Sequence, residues 1–134
     1  MSVESRVTSH ESRKIQSFSD LNAWREAHAL GILIYKYTKM FPKEELFALT
    51  SQLRRAVVSI TSNIAEGFSR KTASDREHFY VMARGSLTEV QSQLLLARDI
   101  GYFSHNDFAV LSRQSIEAHK VLTGLINANR KRSK

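Results

Sequence analysis

The sequence predicts an all-α protein, an antiparallel up-down-up-down four-helix bundle. Three observations carry that expectation. Apolar residues recur at three- and four-residue spacing through most of the chain, the period of an amphipathic helix. Breakers are scarce, with five Gly and one Pro in 134 residues, which disfavours a set of short strands. The few breakers, Pro42, Gly67 and Gly101, separate the periodic segments. Four such segments joined by short connections pack best as a bundle.

The first helix is expected over about 20–40, capped by Ser19 or Asp20. Ala23, Ala27, Leu30, Ile34 and Tyr37 share one face, and Trp24 and Leu33 widen it. Pro42 starts a turn. A second helix is expected over about 44–66, with Leu49, Leu53, Ala56, Ile60 and Ile64 as its apolar stripe and Leu46 and Val57 beside it. Gly67 reads as its stop, because glycine adopts the left-handed conformation at little cost. After a polar loop, Ser74 with Glu77 three residues on reads as a capping box. Phe79, Ala83, Leu87, Val90, Leu94 and Ala97 carry the third helix to a second stop at Gly101. Ser104 and Asp107 resemble a shorter box, and Phe108, Leu111, Leu122, Leu125 and Ile126 mark the fourth helix. The expected organisation is a flexible arm over 1–17, one folded unit over 18–129 and a basic tail over 130–134.

Composition narrows the function. Hydrophobic residues at 42% and charged residues at 25% are the balance of a globular domain. The chain has no cysteine, which excludes disulfides and thiolate metal sites. No apolar run reaches the roughly 20 residues of a membrane helix. Met1–Ser17 carries Glu4 and Glu11 and lacks the apolar core of a secretory signal. A cytoplasmic protein is the expectation. The net charge of +7, with a sequence pI near 10.0, favours polyanionic partners.

The motifs of catalysis are missing. There is no Gly-x-Ser-x-Gly elbow and no phosphate-cradling glycine loop. A di-iron bundle needs Glu-x-x-His pairs that project inward together. Here Glu26/His28 and Glu117/His119 are two residues apart and diverge. Arg113 and His119 match a loose helical-ribonuclease pattern, but six residues turn a helix through about 240°, which separates the side chains. The reading is a non-enzymatic protein with no metal or cofactor.

Three constellations remain. Gln52, Ser59, Asn63 and Glu66 form a polar stripe along the second helix, opposite Ser86, Glu89 and Gln93 of the third. A register-fixing hydrogen-bond network is the structural reading, and a small polar pocket the functional one. Bundle topology would gather Arg70, Lys71, Arg76, Arg130, Lys131 and Arg132 at one pole, either as a phosphate-contacting patch or as a solvated surface. The opposite pole mixes Lys36, Lys39 and Lys43 with Glu44, Glu45, Asp99 and Asp107. Leu94, Leu95 and Leu96 sweep about 200° of the third helix, and Tyr80, Val81, Val110 and Val121 lie off the main stripes. Apolar surface beyond one stripe indicates a second buried side, so Leu95 and Leu96 are the expected oligomer contacts.

The string Ser51-Gln52-Leu53-Arg54-Arg55-Ala56, Ser59-Ile60 and Asn63-Ile64-Ala65-Glu66-Gly67 is distinctive. Phe18, Asp20, Leu21 and Trp24 precede it. Phe41-Pro42, Glu45, Phe47 and Leu49 form the first turn, and Ala83, Gly85-Ser86-Leu87, Glu89 and Gly101-Tyr102 follow. Over roughly 18–126 the chain resembles the four-helix bundle proteins encoded within intervening sequences of bacterial 23S ribosomal RNA genes. The resemblance implies a homopentameric bundle with a positively charged surface. Related accessory proteins of diversity-generating retroelements associate with a reverse transcriptase and RNA. The family has no established catalytic residues, so none is carried over. The expected function is therefore an oligomer that binds RNA, or a nucleic-acid-associated partner, through its basic pole. A structural or adaptor oligomer is the competing reading.

Overall fold

A computed structural model describes residues 14–132 of the chain. Residues 1–13 of the expected arm, and Ser133 and Lys134 of the expected tail, lie outside the described residues. The described residues form four long helices and no strand: α1 (Asn22–Thr38), α2 (Leu49–Ser69), α3 (Ala73–Asp99) and α4 (His105–Arg132). Short 3-10 turns at Phe18–Asp20 and Lys43–Glu45 precede α1 and α2.

The core is built at helical spacing. Ala23, Ala27, Leu30 and Ile34 of α1 meet Leu53, Ala56, Val57, Ile60 and Ile64 of α2. Tyr80, Ala83, Leu87, Val90, Leu94 and Ala97 of α3 and Leu111, Ala118, Leu122 and Ile126 of α4 complete it. Each large aliphatic side chain so buried contributes about 1.5–3 kcal/mol. Helices α2 and α3 form the most extensive pairing, while α4 packs on both α3 and α1. Contacts between helix ends set two poles. At one, Asn129 near the end of α4 donates to the carbonyl of Ala73 at the start of α3, at 2.8 Å. At the other, the ring of Phe41 lies 5.1 Å from Tyr102 and 5.0 Å from Phe103.

Several element ends differ from expectation, each for a local reason. Asp20 and Ser19 do not cap α1. The carboxylate of Asp20 turns back to accept from the amides of Gln16 and Ser17, and closes the preceding 3-10 turn. Helix α2 starts at Leu49 because Pro42 and the 3-10 turn after it delay the helix. Glu45 then accepts from the Leu49 amide at 3.3 Å and serves its free N-terminus. Gly67 does not stop α2. It is buried inside the last turn, where a Cβ would sit 2.8 Å from the Tyr80 ring, so glycine is required for close approach. The cap of α3 is Thr72, which accepts from the Asp75 amide at 3.1 Å. Ser74 lies inside the first turn, and Glu77 binds Arg130 instead. Two expected ends hold. Gly101 takes φ +84° after α3, and the Ser104 hydroxyl accepts from the Asp107 amide at 3.0 Å.

Candidate nucleic-acid interface

The first pole is assembled from the turn before α1, the end of α2, the start of α3 and the end of α4. The basic residues expected as a tail are helical: Arg130, Lys131 and Arg132 form the last turn of α4. That turn is clamped by Asn129 on Ala73 and by Arg130 Nε on Glu77 Oε1 at 2.8 Å. The clamp places Arg132 on the same cleft as Arg76 of α3.

The cations at this end divide into two sets. Arg70 pairs with Glu66 one turn earlier at 3.0 Å and lies over the Phe79 ring at 4.6 Å. Arg130 pairs with Glu77, and Arg25 sits 4.0 Å from Asp20 while donating to the Ser19 carbonyl. Arg76 and Arg132 have no carboxylate within ion-pair distance among the described residues. Lys71 and Lys131 are exposed.

Arg76 and Arg132 flank a cleft of about 360 Å³. Its walls include Leu21, Phe68, Tyr80, Leu125 and Asn129, of which only Leu125 falls on an expected apolar stripe. Tyr80 was expected off the core stripe. It is 2% exposed, because removing the side chain at Gly67 lets its ring slide against α2. Burial raises the Tyr80 pKa, and the positive charges of Arg76 and Arg132 oppose that rise. The hydroxyl therefore keeps its proton at neutral pH. The signal in the sequence was the spacing of Tyr80, Ala83 and Leu87, which continues the core face by one turn.

The expected polar stripe splits. Ser59 and Ser86 share a 2.9 Å hydroxyl contact across α2 and α3, and Asn63 donates to the Ser59 carbonyl at 2.9 Å and to its hydroxyl at 3.1 Å. Gln52 and Glu66 are exposed, and Glu66 turns to Arg70 and Ser69. On α3, Gln93 donates to Glu89 at 3.3 Å, and its buried Oε1 has no partner among the described residues.

Leu95 and Leu96 are 45% and 52% exposed. They are adjacent, so they point about 100° apart on α3. Leu95 lines a shallow groove against α4 with Ser112, Ser115 and Ile116, whereas Leu96 does not. Arg113 lines another α4 groove with Arg98 and His105, and His119 is not among its walls. Among the described residues no helix is long and apolar enough to cross a membrane, and no acidic, His or Cys cluster suits a metal ion.

The fold and its cleft define the class: an all-helical bundle with cationic residues lining a cleft at one end. The family profile described as 23S rRNA-intervening sequence protein matches residues 19–124, and the chain belongs to that family. It also resembles the crystal structure of a protein of unknown function from the S23 ribosomal protein family of Bacteroides thetaiotaomicron VPI-5482, at 19% identity and a TM-score of 0.71, over 78% of this chain and 95% of that one. At that identity the likeness concerns the fold. No curated protein matches the sequence.

Proposed function

We propose that this protein is a non-enzymatic, cytoplasmic homo-oligomer that binds RNA, or a nucleic-acid-associated partner, through the cationic end of an antiparallel up-down-up-down bundle. The observation that carries the reading is the uneven neutralisation of that end. Local carboxylates hold Arg70 and Arg130, while Arg76 and Arg132 line a cleft with no carboxylate among the described residues that form it. Cations with no internal partner are the groups that displace counterions from a phosphate backbone. Binding of a short single-stranded RNA should weaken as salt rises. Neutralising Lys71, Arg76, Lys131 and Arg132 together should flatten the salt slope by about 0.7 per lost phosphate contact. Neutralising Lys36 and Lys39, at the end of α1, should change it less. Equal loss from both sets overturns the reading.

The exposed apolar residues support assembly, and they support the adaptor alternative equally. Leu95 shares a groove with Ile116, and Leu96 is exposed about 100° further around α3. A closed ring needs two different patches on each subunit, one for each neighbour. Five copies, as the family resemblance implies, would repeat the cationic end around the ring and multiply weak contacts. We expect light scattering to give several times the 15.3 kDa chain mass. Leu95→Asp and Leu96→Asp should each weaken assembly by about 2–5 kcal/mol per interface, because an unpaired charge is stranded there. A monomer at micromolar concentration excludes the ring. An assembled protein that binds no RNA at low salt leaves the adaptor role.

A further inference from the structure

We propose that the cleft between Arg76 and Arg132 is a site for a phosphate monoester carried on a ring system, the chemistry of a nucleic acid's terminal phosphate or of a free nucleotide. This deepens the RNA reading and rests on it for the choice of ligand source, a terminal phosphate of RNA.

Two arginines, Arg76 and Arg132, line the cleft with no carboxylate at ion-pair distance among the described residues. Guanidinium groups only donate hydrogen bonds, and their planar fork matches phosphate oxygens two at a time. A phosphodiester carries one negative charge. A monoester carries about 1.5–2 at neutral pH, which matches the pair. Tyr80 lines the same space, and its side chain carries a hydroxyl that can donate.

Shape narrows the choice further. The cleft is bounded by the segment before α1, the end of α2, the start of α3 and the end of α4. A space walled by four elements suits a group that terminates there, whereas a backbone phosphate has chain leaving it on both sides. At about 360 Å³ the cleft is near the lower end of small-ligand pockets, roughly 300–1,000 Å³. Beside Ala128 and the amide of Asn129, Ile15, Leu21, Phe68 and Leu125 give the cleft an apolar face that suits the flat face of a base better than a second charge. Finally, the two arginines are held relative to each other. Asn129 on Ala73 and Arg130 on Glu77 lock the last turn of α4 to the first of α3, which lowers the cost of organising the site.

The test measures the affinity of the full chain for a short single-stranded RNA, labelled at its 3′ end, with and without a 5′-phosphate. The 5′-phosphate should tighten binding by about tenfold, the worth of one charge-assisted contact. Arg76→Gln and Arg132→Gln should each remove most of that ratio, and Arg132→Lys should keep part of it. Reading the ratio cancels any general loss of RNA affinity from the missing charge. A parallel arm titrates adenosine 5′-monophosphate, adenosine and inorganic phosphate. If the monophosphate binds in an Arg132-dependent way and the RNA ratio stays at one, the cleft takes a free nucleotide and the terminal-RNA source is overturned. If RNA binds with a ratio of one and the monophosphate binds no better than adenosine, the site is overturned while the RNA reading stands. If RNA does not bind but the monophosphate does, the RNA reading fails and the monoester site stands.

Discussion

The two ends of the bundle solve the same problem in opposite ways. Each must close a core where helices stop and backbone groups lose their partners. At the end built from Phe41, Glu45 and the turn after α3, aromatic rings close it. Phe41 packs on Tyr102 and Phe103, and the Tyr102 hydroxyl donates to Glu45 Oε2 at 2.6 Å. Glu45 also accepts the first amide of α2, so one carboxylate serves both helix start and ring. At the other end an aromatic ring is also buried, that of Tyr80, but Arg76 and Arg132 help to line an open cleft. The contrast teaches where the net charge is spent on structure and where it is not. The closed end is sealed by aromatic rings and a tyrosine–carboxylate contact, whereas at the open end Arg76 and Arg132 border a cleft with no carboxylate among its described lining residues.

The largest test of that contrast is Phe103→Ala. Phe103 is buried in the closed end, so truncation should cost about 3–5 kcal/mol in denaturant unfolding. Because the cationic end lies at the far side of the core, the folded fraction should keep its RNA salt slope. A loss of slope beyond the unfolded fraction would show that the two ends are not independent.

Gly67→Ala probes the open end. The added methyl meets two Tyr80 ring carbons at 2.8 and 2.9 Å and the Phe79 Cβ at 3.0 Å. The ring must shift, at about 1–3 kcal/mol. The cleft should change with it, so this variant should alter the phosphate-dependent affinity ratio while the closed end is untouched. Thermal melting together with the RNA titration checks both halves.

The smallest effect separates the two tyrosines by titration. Both have pKa values above the ordinary one, Tyr102 through its hydrogen bond to Glu45 and Tyr80 through burial. A raised pKa means that the stabilising contact is complete below tyrosine's ordinary value near 10.0 and is lost as pH rises through the folded value. Folding should therefore weaken in strong alkali rather than near neutrality. Tyr102→Phe should remove the Glu45-linked part of that alkaline dependence. Arg132→Gln should move the Tyr80 ionisation still higher, because it removes a charge that favours tyrosinate, and should leave Tyr102 unchanged. Ultraviolet titration of tyrosinate in each variant distinguishes them.

The sequence by itself determined the four helices, most of their core faces and the family, because helical periodicity is local and survives without tertiary contact. It also determined the stop at Gly101, where a positive φ suits glycine, and the cap at Ser104. The tertiary structure decided what local rules cannot see. Gly67 looked like a stop, but its missing side chain serves Tyr80 on another helix. Ser74 and Glu77 had the spacing of a capping box, but Arg130, 53 residues away from Glu77, claims the carboxylate. The polar stripe lay on one side of α2, yet only Ser59 and Asn63 share contacts, because Gln52 and Glu66, near the two ends of the helix, extend longer side chains to solvent. The sequence placed six cations toward one end. Which of them an acid neutralises, and which border a cleft, depends on side chains from four separate segments meeting at one point, a relation of distance that no single stretch of chain encodes.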